Sequence, residues 1–387
     1  MRLLLLLPLL VGVALAREPR GGGGGGGGGG HGGAGGHKGG GAGSALIPEV
    51  VVPVADPCPG GCINFVVNVH DVNHVNDSAD TLIHLVDIYS RQGVKGEFYL
   101  TGPMVELYKA ERPDVIERLR ASGMTISYHV RAPHPLVNGF EGKLDGLSDA
   151  DREALLRDYE TFSLDRATGE LDRTKPGGYT LVKDTFGSVV TVVTPNKDPR
   201  NKLAALHVYR SMGARAIVWY HEEQASVANP ITTRGGLVVR PSDIGLTRWL
   251  DPGGIEQFWW NRVGRDPSFN PVSRLKERLG AWSAPRGAFV TSLVHENNFY
   301  RFGPEGWTLS YYSAKDKDTP LPPPWNLNPK EESRVRGMEE QARIWEAYED
   351  LVRWSKGNLR VVTGAELADM GNLVAPAKAL DPEPAHP

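Results

Sequence analysis

Asp71 with its neighbours His70 and His74, and the pair His129 and His134, are the side chains whose types and spacing could do chemistry in this chain. Carboxylate and imidazole groups together can ligate a divalent metal or pass protons between water and a substrate. Three of them fall within Asn68-Val69-His70-Asp71-Val72-Asn73-His74, at the end of the apolar run Ile63 to Val69. That run is rich in β-branched residues, which favour a buried strand. A second run, Met124-Thr125-Ile126-Ser127-Tyr128, ends in His129 and then His134, and a third, Ala288 to Val294, ends in His295-Glu296. Strands that end this way place the groups at the carboxyl edge of a sheet or barrel, where such folds carry their sites.

The elements between these runs have to position them. Asp80 to Gln92 reads as a helix closed by Gly93, Val94 to Gly102 as a strand running into a turn, and Asp114 to Ala121 as a second helix. Ser148 caps a helix through Thr161, residues 163–185 read as a loop or hairpin insertion, and Ser188 to Thr194 as a buried strand. A helix over Asn201 to Met212 and a strand over Ala214 to Tyr220 follow. Glu331 to Lys356 is a long amphipathic helix, Leu359 to Thr363 a closing strand, and Gly364 opens a last helix. Residues 225–287 show weak periodicity and read as long loops over one face. Strand alternating with helix at this spacing predicts βα units around a parallel sheet or barrel.

The chain has 387 residues and a formal net charge of −3, with both signs mixed, which gives no reason to expect nucleic acid as a partner. Residues 1–16 carry Arg2, a Leu-rich core and an Ala14-Leu15-Ala16 ending, the pattern of a secretory signal too short to span a bilayer. No other segment reaches spanning length, so an exported protein without a transmembrane segment is expected. Residues 17–46, nearly all Gly, read as a flexible tether, residues 53–372 as the folded domain, and residues 376–387 as a disordered tail. Cys58 and Cys62 are the only cysteines and, in an exported chain, read as a short-loop disulfide.

With these residues in place, the chain from Asn64 to Met370 resembles the polysaccharide deacetylase family of the NodB-homology, carbohydrate esterase type. The resemblance is carried by His70-Asp71 after a strand, by Gly93-Val94-Lys95 with Phe98 and Thr101-Gly102, and by Ser122-Gly123-Met124 leading to His129 and His134-Pro135. Looser matches are Ser211-Met212-Gly213-Ala214 through Trp219, Val294-His295, and Arg360-Val361-Val362-Thr363. It implies a distorted (β/α)7 barrel and a divalent metal, usually zinc, held by Asp71, His129 and His134. It also implies hydrolysis of acetyl groups on an acetylated amino-sugar polymer or cell-wall glycan. His70 then stands at the position of the catalytic base and His295 at that of the acid. An alternative register makes Asp71 the base and brings Asn73 near the metal.

An Asp and two His on neighbouring strand ends can leave a fourth metal position open for water, as catalytic zinc requires. His74 and Asp77 fit either this site or simple capping of a turn. His221, beside Glu222 and Glu223, reads as an exposed charged turn, and His84 and His207 as packing or surface residues. Trp219 and Trp307 are candidates for stacking on sugar rings. Trp259, Trp260, Tyr311, Tyr312 and Trp325 read equally as sugar platforms or as pins for long loops. A glycan-binding barrel without catalysis, and another metal-dependent hydrolase on the same fold, are the competing readings.

Overall fold

The first apolar run forms strand β1 (Cys62–Val69), and all eight of its residues are buried. In a computed structural model, the protein is described over residues 61–195, 198–219, 232–241, 248–250, 256–281, 289–302, 306–313, 319–329 and 333–374. Helix α1 (Val75–Gln92) follows and ends at Gly93, whose φ of +62° lets its N–H reach back to the carbonyls of Tyr89 and Ser90. Strand β2 (Glu97–Leu100), helices α2 (Gly102–Glu111) and α3 (Pro113–Ala121), and strand β3 (Thr125–His129) come next. Helix α4 (Asp149–Thr161) starts where expected, with Ser148 Oγ accepting from the Asp151 N–H at 3.2 Å.

Beyond α4 the chain forms a hairpin of β4 (Phe162–Leu164) and β5 (Leu171–Pro176), then α5 (Gly178–Phe186), β6 (Thr191–Thr194), α6 (Pro199–Met212) and β7 (Ala216–Trp219). Residues 225–287 are not only loops. Their described part holds β8 (Thr232–Arg234), β9 (Leu237–Pro241), the hairpin of β10 (Arg248–Leu250) and β11 (Glu256–Phe258), and helices α7 (Trp259–Arg265) and α8 (Pro271–Ala281). All but α8 are too short for a helical or strand period to build up. Strand β12 (Phe289–His295), β13 (Arg301–Phe302), α9 (Gly306–Tyr311), β14 (Arg334–Val335), α10 (Met338–Asn358), β15 (Arg360–Val361) and α11 (Gly364–Val374) complete the chain. The long helix therefore begins later than its amphipathic stretch suggests, and α1 begins earlier.

The main sheet runs β12-β1-β2-β3-β6-β7-β9-β8, and every neighbouring pair is parallel except β8 with β9. Seven parallel strands with helices around them form a curled, open α/β barrel, as the alternation of elements predicts. Alternate residues of a strand face opposite ways. Ile63, Phe65, Val67 and Val69 of β1 pack against the helices. Cys62, Asn64, Val66 and Asn68 face the interior, which is layered. Its floor is Cys62, Ala216 and Val238 resting on Leu367 and Met370, and higher up lies a layer of Val66, Tyr99, Val193, Val218 and Leu293. Each Val, Leu or Met among these, taken fully out of water, contributes roughly 1.5–3 kcal/mol.

Between those layers sits the buried carboxylate of Glu97. It accepts from Asn64 Nδ2 at 3.2 Å, Ser127 Oγ at 2.9 Å and the Gly364 N–H at 2.7 Å. The last bond comes from the first turn of α11, where unsatisfied N–H groups favour a negative charge. This fixes the last helix under the barrel's amino edge. The Cys62 side of the predicted disulfide is borne out, since Cys62 is disulfide-bonded. Cys58, the leader, the glycine-rich stretch and the tail lie outside the described residues. Among the described residues no helix is long and apolar enough to cross a membrane.

Candidate functional site

The same inward alternation carries histidines to the open, carboxyl end of the barrel. Asn68 pairs with His295 across β1 and β12, and His129 follows inward-facing Ser127 on β3. The His70 ring lies 4.7 Å from that of His295 and 6.0 Å from that of His129, centroid to centroid, edge to face in both cases. Three imidazoles from three strand ends thus gather in one place. His129 is fully buried. Burial first, then the charges of Arg131, His70 and His295, hold its pKa well below the ordinary imidazole value, so its ring is neutral at neutral pH.

His70, His129 and His134 line a cleft of about 110 Å³, together with Arg131, Tyr159 and Tyr311. Its wall is formed where the starts of α2 and α5 meet. A Cβ on Gly102 would stand 2.8 Å from the Gly178 Cα, so the close approach of the two helix ends requires glycine there.

Asp71 does not line this cleft. Its Oδ2 accepts from the Tyr300 hydroxyl at 2.7 Å. Behind it, Glu296 Oε1 accepts from the backbone N–H groups of both His70 and Asp71, at 2.6 Å each. Glu296 is fully buried, and burial, with the nearby Asp71 carboxylate as the next cause, pushes its pKa up to about 8. Burial and then Asp71 likewise hold the Tyr300 hydroxyl well above its usual pKa, keeping it a donor.

His134 reaches the cleft wall but turns to a different partner. Its Nδ1 accepts from the Leu136 N–H at 3.1 Å, which leaves the proton of the neutral ring on Nε2. Nε2 stands 3.1 Å from Oε1 of buried Glu160, close enough for an ion pair but outside hydrogen-bond angles. Glu160 also accepts from the Tyr209 hydroxyl and from the Tyr179 N–H at 3.3 Å. This knot between α4, α5 and α6 comes from residues far apart in sequence, and no local signal points to it.

The set Asp71, His129 and His134, tested against a divalent cation, does not fit as a cage. Only His129 of the three faces the imidazole cluster, Asp71 is engaged by Tyr300, and neither ring nitrogen of His134 offers a lone pair to the cleft. Among the described residues no group of three His, Cys, Asp or Glu side chains could hold a metal ion. The turn through Pro133 carries His134 to Glu160 at the cleft wall.

Other candidates separate cleanly. His74 begins α1 and its Nδ1 lies 2.9 Å from Arg301 Nη2, and Asp77 is exposed in the first turn, so neither joins the cleft. His84 packs against Trp345 at 4.3 Å between rings, and His207 faces Glu153 at 2.7 Å. All four of Trp259, Trp260, Tyr312 and Trp325 are buried: the two tryptophans of α7 pack edge to face, with Trp259 stacked on Tyr348, while the Tyr312 hydroxyl on the Asn138 carbonyl and Trp325 Nε1 on the Leu321 carbonyl pin loops. Tyr311 is buried too and lines the cleft. Trp219 ends β7 and Trp307 lies in α9, while their side chains, like all of His221, fall outside what is described.

No family model and no curated protein matches the chain. Solved structures similar to it include Puue allantoinase, with 10% identity and a TM-score of 0.47 over 82% of this chain and 92% of that one. Another is a probable polysaccharide deacetylase from Pseudomonas aeruginosa PAO1, with 11% identity and a TM-score of 0.46 over 81% and 92%. A CE4 family pseudoenzyme from Bacillus anthracis has 13% identity and a TM-score of 0.35 over 80% and 66%. The fold itself follows from the strand order, independently of these likenesses.

Proposed function

We propose that this chain is an exported carbohydrate deacetylase, a hydrolase that removes acetyl groups from an acetylated amino-sugar polymer such as a cell-wall glycan. The observation that supports this most is the gathering of His70, His129 and His295 at the carboxyl edge of the barrel beside a cleft. His70 takes a proton from water as it adds to the acetyl carbonyl, since imidazole titrates near neutral pH. The carbon–nitrogen bond then breaks, His295 protonates the leaving amine, and acetate departs. Arg131, lining the same cleft, is the cation placed to favour the developing oxyanion. The sequence resemblance implies zinc at Asp71, His129 and His134, but the placement of those donors does not support that set, and the imidazoles carry the chemistry.

A second reading, a glycan-binding barrel without turnover, is favoured by one observation, the engagement of Asp71 by Tyr300 away from the cleft. Product analysis on an acetylated amino-sugar oligomer separates the two readings. Release of acetate, without phosphate from phosphoesters or new reducing ends, is the expected result. Binding of the oligomer with no acetate released would leave the binding module standing.

A further inference from the structure

We infer that Glu296 is the positioning residue that sets which way the first motif faces, with His70 inward and Asp71 outward. The inference rests on the His70 site proposed above and adds what holds that site in register. A chain leaving a strand can turn either way, and His70 and Asp71 are adjacent, so fixing one side chain fixes the other. Glu296 grips both backbone N–H groups of this pair with one oxygen, at 2.6 Å each. Four residues on, Tyr300 takes the Asp71 carboxylate from the same side, at 2.7 Å. The turn after β12 thus holds the turn after β1 by its backbone and by its side chain. Because Glu296 directly follows His295, the same grip sets the 4.7 Å spacing between the His70 and His295 rings.

Glu296 does not itself line the cleft; it holds the backbone of His70, which does, and so acts through that residue. Its Oε2 is buried without a hydrogen-bond partner, so what matters is the single accepting oxygen, Oε1. A carboxamide supplies such an oxygen, and an alkyl group of similar size does not.

The test compares Glu296→Gln with Glu296→Leu in the full chain, reading acetate release and, separately, ring-to-ring contacts of His70 by NMR of histidine-labelled protein. Glu296→Gln is expected to keep the His70–His295 contact and a kcat within about threefold of the parent. Glu296→Leu is expected to lose the contact and about 100-fold in kcat with KM little changed, the cost of a misplaced catalytic group. The inference is overturned if Leu keeps both contact and turnover, or if Gln loses them as Leu does. Should Glu296→Leu fail to fold, Glu296→Gln decides alone, by keeping or losing the contact. Should the parent release no acetate, the proposed function falls while the NMR contact still decides the role of Glu296.

Discussion

At the scale of single residues, two buried groups pull the pH dependence of stability in opposite directions. Glu296 is raised from 4.5 to about 8, so the folded state holds its proton more tightly than the unfolded chain does. Its contribution is fully present below the unfolded pKa and is lost as pH rises through about 8. His129 is held below 6.5, so its contribution is present above that value and is lost as pH falls. Urea unfolding of the parent and of Glu296→Gln from about pH 5 to about pH 8 reads the first effect. The parent should lose stability relative to the variant as pH rises, by at most about 1.4 kcal/mol per pH unit. Parallel curves would show that Glu296 is not protonated in the fold. His70, His129 and His295 are legible in the sequence as members of the candidate site because each ends or directly follows an apolar run. The roles of Asp71 and His134 are not, because their partners Tyr300 and Glu160 are set by tertiary packing that no local spacing encodes.

At the scale of elements, strand ends were readable from hydrophobic runs, and helix ends from caps such as Ser148 and Gly93. What escaped were α2, whose buried Met104, Val105 and Tyr108 form only a weak apolar stripe, and the short pieces between β8 and α7. Helix α2 matters for the site, because its first residue, Gly102, meets Gly178 of α5 at the cleft wall. Gly102→Ala would press a methyl against the Gly178 backbone, which no rotamer change relieves. It should destabilise the fold by about 1–3 kcal/mol through overpacking. Thermal unfolding would show this as a lowered Tm, and an unchanged Tm would mean that the two helix ends are free to part.

At the scale of the whole molecule, the barrel interior is stacked in layers: an apolar floor, the Glu97 carboxylate with its donors, a second apolar layer, and the histidines at the open end. The inward alternation that buries Val66, Tyr99 and Leu293 also delivers His129 and His295 to one place, so the core and the candidate site are products of one strand pattern. On the function proposed, this end of the barrel hydrolyses acetyl groups with His70 as its base. The most direct measurement is acetate release from an acetylated amino-sugar oligomer by the parent chain and by His70→Ala, with circular dichroism confirming that both are folded. Steady release by the parent is expected, with a loss of about 100-fold or more in the variant, the usual weight of a general base. Equal release by the two folded proteins, or none by the parent, would contradict it.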